Sequence, residues 1–157
     1  MVSLIVAIGK NNVIGLGNKL PWHYKEDMQY FKETTMNKHV IMGEMTFKSI
    51  ISYINKPLPK RTSVIATLTD YTYPGIEVTN DILSYLKNFP KEEEIFIIGG
   101  KIIYDITLDI ADRLYITHVD KEYDGDVFFK DIDYSKYSKI SEKVSGDLRF
   151  SVYERIV

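Results

Sequence analysis

The sequence predicts an α/β fold: a mainly parallel, eight-stranded sheet with an antiparallel C-terminal edge and about four helices. Apolar runs rich in strand-forming residues alternate with helical patterns through most of the chain, an alternation typical of parallel strands joined by helices. Several of these runs are apolar throughout, as expected for strands covered by helices on both faces. The 157 residues suit a single domain spanning residues 1–157.

The predicted elements follow one another in a regular order. Strands are expected at residues 2–8, 39–43, 62–67, 75–79, 94–98, 113–119, 137–143 and 148–156. Helices are expected at residues 25–35, 45–51, 80–88 and 100–107. Because the helical patterns stop after residue 107, the last two strands should pair as an antiparallel hairpin at one edge of the sheet.

The central strands end at glycine or threonine residues, which allow sharp turns at the edge of the sheet. The continuously apolar strands are Val40–Met42, Val64–Ala66 and Ile95–Ile98. They end at Gly43, at Thr67 and at a glycine pair. Since ligands of open α/β sheets bind beyond the carboxyl ends of the strands, we expect the functional site there.

The composition argues against several classes of function. Hydrophobic residues make up 45% of the chain and charged residues 27%, as in an ordinary soluble protein. The net charge of -2 gives no support to a nucleic-acid or membrane-surface role. The chain has no cysteine, and its three histidines are scattered, so we expect neither disulfides nor a metal site.

The N-terminal region begins directly with a strand, and no basic segment or cleavage site precedes it. No apolar run approaches the ~18 residues of a membrane span. We therefore expect a cytoplasmic protein, and we expect a monomer.

The segment from Val13 to Trp22, followed by Asp27, is the most informative stretch. A glycine-broken loop ends in Leu20–Trp22, and a helix follows with Asp27 in its first turn. An acid in a first turn can simply complement the helix dipole. In an apolar cleft, however, a lone carboxylate is costly unless it holds a cationic ligand. The same helix is expected to bury a stripe formed by Tyr24, Met28 and Phe31.

Two turns have the composition of phosphate-binding segments. In residues 95–104, Gly99–Gly100 separates a strand from a helix, and in residues 40–50, Gly43 does the same. Backbone without side chains approaches a ligand closely, and a helix start offers free N–H groups to a pyrophosphate. The glycine pair could equally form a simple tight turn, and Thr46 could be an ordinary helix cap.

Taken in order, these motifs resemble those of dihydrofolate reductases over nearly the whole chain. The resemblance rests on the loop with Leu20–Trp22 and Asp27, the two glycine turns, the proline-stiffened residues 56–61 and the acid-plus-glycine run at 122–129. It implies a dihydrofolate-reductase fold. It also implies hydride transfer from NADPH to pterin C6, with a water-borne proton reaching N5.

The resemblance assigns roles to particular residues. Asp27 is expected to accept two hydrogen bonds from the pterin, and Thr117 to hydrogen-bond Asp27. Arg61 is expected to bind the α-carboxylate of the glutamate tail, although alone it could be a solvated surface residue. Gly125–Asp126 is expected to hold the nicotinamide loop closed.

The expected site residues fall into three groups. Those expected to act in catalysis are Asp27, Trp22, Leu20 and Thr117. Those expected to bind the substrate are Ile5, Ala7, Phe31, Lys32, Ile50, Ile54, Arg61, Ile98 and Tyr104. Those expected to bind the cofactor are Ala7, Ile14, Gly15, Asn18, Leu20, Gly43, Glu44, Met45, Thr46, Thr67, Leu68, Thr69, Gly99, Gly100, Lys101, Ile102, Ile103 and Asp126.

The sequence departs from the family pattern at two places. Glu44 replaces an arginine that pairs with the 2′-phosphate of NADPH in the family. It could weaken the preference for NADPH so that NADH is tolerated, or it could turn into solvent. Residues 51–55 are longer than the family's usual link, so either Ile50 or Ile54 could line the substrate tail pocket.

Two other functions are compatible with parts of the pattern. A related-fold reductase of a riboflavin-pathway intermediate would bind a ribityl phosphate, and neither Asp27 nor Arg61 would be expected. A nucleotide-binding module without chemistry would have no use for the pair formed by Trp22 and Asp27.

Overall fold

The structure, a computed structural model, describes residues 1–17 and 19–157. The predicted cofactor-binding residue Asn18 lies outside these described residues. The strands are β1 (Val2–Gly9), β2 (Val13–Gly15), β3 (His39–Gly43), β4 (Thr62–Ala66), β5 (Glu77–Thr79), β6 (Ile95–Ile97), β7 (Arg113–Val119), β8 (Val127–Phe128), β9 (Tyr137–Ser145) and β10 (Leu148–Arg155). The α-helices are α1 (Lys25–Thr35), α2 (Glu44–Ile54), α3 (Ile82–Lys87) and α4 (Lys101–Thr107).

Eight strands form the main sheet in the order β5-β4-β3-β6-β1-β7-β10-β9. The strands from β5 to β7 in this order are parallel, and β10 and β9 are antiparallel. The predicted fold class is therefore confirmed. β2 and β8 pair separately as a small antiparallel sheet that the sequence reasoning did not predict.

The residues inserted after Ile50 extend α2. The helix continues to Ile54, and Asn55 ends it in the left-handed conformation at φ 60°, with its N–H donating to the carbonyl of Ile51 at 2.9 Å. Such a cap is a common helix terminus. The helix is therefore longer than the predicted 45–51.

The core consists of apolar layers on the two faces of the sheet. Because side chains alternate along a strand, Leu4 packs in one layer and Ile5 in the other. Ile103 of α4 belongs to the layer with Leu4, and Phe47 of α2 to the layer with Ile5.

The predicted buried stripe on α1 is partly wrong. Met28 is 54% exposed, while Tyr24 and Phe31 are only half-buried. Thr35 is the fully buried residue of this helix. Met28 and Phe31 line a cleft, so these apolar side chains face a cavity and not only the core. Within the described part of the chain, no helix is long and apolar enough to cross a membrane.

Candidate active site

A cleft of about 1430 Å³ opens at the carboxyl ends of the central strands. Its lining includes Thr117 on β7, Ala7 on β1, Gly43 on β3, and Thr67 directly after β4. These positions span five neighbouring strands, and at about 4.8 Å per strand the cleft extends roughly 19 Å across the sheet. The cleft thus lies beyond the carboxyl ends of the parallel strands, where the sequence predicts it.

Asp27 lies in this cleft with one carboxylate oxygen already hydrogen-bonded. The hydroxyl of buried Thr117 donates to Oδ1 of Asp27 at 2.7 Å. Ile5 and Phe31 are among the apolar side chains that line the same cleft. Burial raises the pKa of Asp27, and the bond from Thr117 opposes that rise. The arrangement holds a half-buried acid in position for a ligand that donates hydrogen bonds.

Leu20 and Trp22 occupy different places. Leu20 is 53% exposed and lines the cleft. Trp22 is buried in a separate apolar cluster with Val119 and Phe150, outside the cleft lining. Its indole Nε1 is buried without a hydrogen-bond partner among the described residues. The tryptophan therefore packs in the core and not into the cleft.

The glycine turns bring two strand ends together. The amide of Gly43 donates to the carbonyl of Gly99 at 2.9 Å, and the Gly99–Gly100 peptide bond is cis. Gly99 has φ +123°, a conformation that favours glycine, and Gly43 precedes α2 without a side-chain cap. A Cβ on Gly100 would lie 3.4 Å from Oγ1 of Thr46, and both residues line the cleft. The bare backbone and the uncapped helix suit an anionic ligand.

Tyr104 fixes the wall next to the glycine pair. Its buried hydroxyl donates to the carbonyl of Ile5 at 2.8 Å, and burial raises its pKa. A Cβ on Gly99 would lie 3.4 Å from the Tyr104 ring. This hydrogen bond ties α4 to β1 across the cleft floor.

Arg61 lies at the other side of the cleft, at the end of α1. Its Nε donates to the carbonyl of Pro59 at 2.8 Å, and its Nη1 to Oγ1 of Thr35 at 3.2 Å. Burial lowers the pKa of this guanidinium. Ile50 and Ile54 both line the cleft, so which of them contacts a substrate tail stays a prediction.

The loop before Leu20 is held by Asp126. Its Oδ1 accepts from the amide of Gly17 at 2.9 Å, and its own amide donates to the carbonyl of Gly15 at 3.0 Å. A Cβ on Gly125 would collide with Val13 and with the carbonyl of Gly15. The acid-plus-glycine run therefore clamps the loop through β2 and β8.

Comparisons with known proteins now identify the family. The family model described as dihydrofolate reductase matches residues 1–155. The chain belongs to the dihydrofolate reductase family.

Curated dihydrofolate reductases are similar to this chain over nearly their full length. The chain is 38% identical to the dihydrofolate reductase of Haemophilus influenzae, covering 98% of each. It is 36% identical to that of Bacillus subtilis, covering 99% of this chain and 95% of the relative. A solved structure of the dihydrofolate reductase from Enterococcus faecalis, complexed with NADP(H) and RAB-propyl, has a TM-score of 0.86 at 30% identity. That likeness covers 100% of this chain and 97% of the other.

The cleft of this dihydrofolate reductase family member collects most of the predicted site residues. Those found in its lining are Ile5, Ala7, Ile14, Gly15, Leu20, Asp27, Phe31, Lys32, Gly43, Glu44, Met45, Thr46, Ile50, Ile54, Arg61, Thr67, Leu68, Ile98, Gly99, Gly100, Lys101, Ile102, Ile103, Tyr104 and Thr117. Three predicted residues lie outside the lining: Trp22, Thr69 and Asp126. Thr69 hydrogen-bonds Glu44 and Asp126 hydrogen-bonds Gly17, both of which line the cleft, and Trp22 belongs to the apolar cluster against which Ala7 packs.

Some cleft residues were not predicted. Met28, Ser49, Leu58 and Asn80 line the cleft as well. Met28 could have been found from its position beside Asp27 on α1. Asn80 follows β5 directly, so its place at a strand end was the available signal.

Glu44 lines one end of the cleft, where three side chains hold it, and it does not turn into solvent. Its side chain is 18% exposed. Oε1 accepts hydrogen bonds from the hydroxyls of Thr67 and Thr69, both at 2.7 Å, and Oε2 pairs with Nζ of Lys48 at 2.6 Å.

Thr46 lies inside the first turn of α2, so the prediction that it could cap the helix is wrong.

Proposed function

We propose that the protein reduces 7,8-dihydrofolate to 5,6,7,8-tetrahydrofolate, with NADPH supplying the hydride to pterin C6 and water delivering the proton to N5. The observation that carries the proposal is the carboxylate of Asp27, fixed by Thr117 within a largely apolar cleft. The family match over residues 1–155 supports the same reaction. A riboflavin-pathway reductase is not favoured, because the matched family and its curated relatives are dihydrofolate reductases.

Asp27 binds and polarises the pterin in this proposal. Thr117 occupies one lone pair of Oδ1, so among the described residues the second lone pair of Oδ1 and both of Oδ2 remain for a ligand. A carboxylate that accepts two parallel N–H bonds forms a strong charge-assisted pair. Its negative charge favours a protonated pterin, which makes the proton transfer to N5 easier.

The proton itself is expected to come through water. Tyr104 and Tyr30 are phenols that line the cleft near Asp27, and the hydroxyl of Tyr104 donates to the carbonyl of Ile5. Burial raises the pKa of Tyr104, so it remains protonated at neutral pH. Leu20 and its loop, clamped by Asp126, limit how much solvent enters.

The glycine turns fit the pyrophosphate of a nicotinamide dinucleotide. Gly43, Gly99 and Gly100 present backbone to the middle of the cleft, and the uncapped start of α2 supplies N–H groups there. The roughly 19 Å span of the cleft leaves room for an extended dinucleotide beside the substrate. Arg61 is expected to bind the tail carboxylate, because a guanidinium fork matches a carboxylate.

The test is consumption of NADPH, followed by its absorbance, with and without dihydrofolate. The proposal expects consumption only when dihydrofolate is present. Consumption with a pyrimidine that carries a ribose phosphate instead would favour the riboflavin-pathway reaction. Tight NADPH binding without consumption of either substrate would indicate a binding module.

Two further expectations belong to this proposal. We expect a single-domain monomer, to be checked by size-exclusion chromatography with light scattering. We expect a cytoplasmic location, to be checked by fractionating cells that express the chain.

A further inference from the structure

Glu44 and its neighbours form a polar cluster at one end of the cleft. The cluster consists of Glu44, Lys48, Thr67 and Thr69. Oε1 of Glu44 accepts from both threonine hydroxyls, and these two hydroxyl oxygens are 3.1 Å apart. Glu44 and Thr67 both line the cleft, on the far side of Gly43 from Asp27.

The cluster leaves no free cation for an added phosphate. Nζ of Lys48 is 2.6 Å from Oε2 of Glu44 and 5.0 Å from the centre of the Tyr71 ring. Its charge is therefore already paired with the carboxylate. The hydrogen bond from Lys48 lowers the pKa of Glu44 to about 2, with help from the two threonines, so Glu44 is ionised at neutral pH.

A 2′-phosphate and a 2′-hydroxyl meet this cluster differently. A phosphate monoester carries about -1.5 to -2 charges at neutral pH and needs donors. Glu44 repels it and already occupies the two threonine donors. A ribose hydroxyl can donate to the remaining lone pair on Oε2 of the carboxylate, as ribose hydroxyls do to acids in sites that bind NAD. The residues of this end thus fit the 2′-phosphate of NADPH poorly.

We infer that Glu44 is a specificity-determining residue that lowers the preference of this protein for NADPH over NADH. The inference rests on the proposed function, because it presumes that the adenosine end of the dinucleotide lies against this cluster. Glu44 acts on cofactor choice and takes no part in the chemistry at the pterin.

The experiment is calorimetric titration of NADPH and of NADH into the protein without dihydrofolate. Three variants are compared with the parent: Glu44→Arg, Glu44→Gln and Glu92→Arg. Glu92 is exposed and lies on the loop before β6, away from the cleft, so Glu92→Arg makes the same charge change elsewhere.

Glu44→Arg should raise the affinity for NADPH relative to NADH by about tenfold or more, the worth of one charge-assisted contact. The gain should shrink at high salt, because dissolved ions screen the attraction between the new arginine and the phosphate. Glu44→Gln should shift the ratio in the same direction by less, and Glu92→Arg should leave it unchanged. Glu44→Gln also keeps the shape of the cluster, so it tests the inference if the arginine variant folds poorly.

The outcomes separate the inference from the proposed function. If both Glu44 variants bind the two dinucleotides in the parental ratio, the inference is overturned and the proposed function stands. If the parent binds neither dinucleotide, both are overturned.

Discussion

Replacing Asp27 by asparagine should lower turnover strongly at neutral pH and much less at acid pH. Asparagine keeps the shape and can still accept the bond from Thr117, now 2.7 Å long, but it removes the charge that favours a protonated pterin. Positioned acid–base groups contribute about 10²–10⁴-fold, and one contact to a charged group about 1.5–3 kcal/mol. We therefore expect a loss of roughly 10²–10³-fold near pH 7. At acid pH, N5 can be protonated directly from solution, so the charge of Asp27 matters less.

The same substitution should not destabilise the fold at neutral pH. Burial raises the pKa of Asp27, so the folded protein binds this proton more tightly than the unfolded chain does. Stability conferred by Asp27 is therefore highest below its unfolded pKa and declines as pH rises through the folded pKa. Asparagine removes the free-energy cost of burying a charged carboxylate. The Tm of Asp27→Asn should therefore equal or exceed the parental Tm near pH 7. The difference should disappear once Asp27 is protonated.

Glu26→Gln is the matched control, because Glu26 is an exposed acid in the same first turn of α1. The assays are steady-state turnover across acid and neutral pH, and thermal unfolding of both variants. An equal fractional loss of turnover at every pH would refute the role given to Asp27. A loss of Tm in Asp27→Asn that matches the loss in Glu26→Gln would favour a simple helix-dipole role.

Three further predictions concern the surroundings of Asp27 and the two ends of the cleft. Thr117→Val removes the bond that lowers the pKa of Asp27, so the pH profile of kcat/KM should shift to higher pH; an unmoved profile would contradict this coupling. Arg61→Leu should weaken dihydrofolate binding about tenfold or more while sparing a pterin without the glutamate tail, and equal losses on both substrates would make Arg61 structural. Gly100→Ala places a Cβ 3.4 Å from Oγ1 of Thr46, so it should weaken NADPH binding without lowering Tm; parental affinity in calorimetry would refute the nucleotide assignment of this turn.

The main sheet could be predicted because its strands and helices carry strong local patterns. Val40–Met42 and Ile95–Ile97 are apolar throughout, and both are buried central strands. The pair of β2 and β8 could not be predicted, because three residues and two residues are too short for a periodic pattern. The length of α2 depended on Asn55, whose left-handed cap becomes evident only from the backbone.

The candidate site was predictable where residue type and a strand end coincide. Gly43 and Gly99 are such cases, and the structure brings both to one cleft with Asp27, which the loop before α1 indicated. Met28 was misjudged because an apolar stripe looks the same whether it faces a core or a ligand. The orientation of Glu44 depended on hydroxyl groups that lie 23 and 25 positions away in sequence, and no local pattern predicts such partners.

The most direct test of the proposed reaction is to follow the transferred hydrogen. The protein is given dihydrofolate and NADPH dideuterated at C4 of the nicotinamide, and the product is analysed by NMR and mass spectrometry. We expect tetrahydrofolate that carries one deuterium, located at C6, and a proton from solvent at N5. Tetrahydrofolate without deuterium at C6, or no tetrahydrofolate from a protein that binds both ligands, would contradict the account.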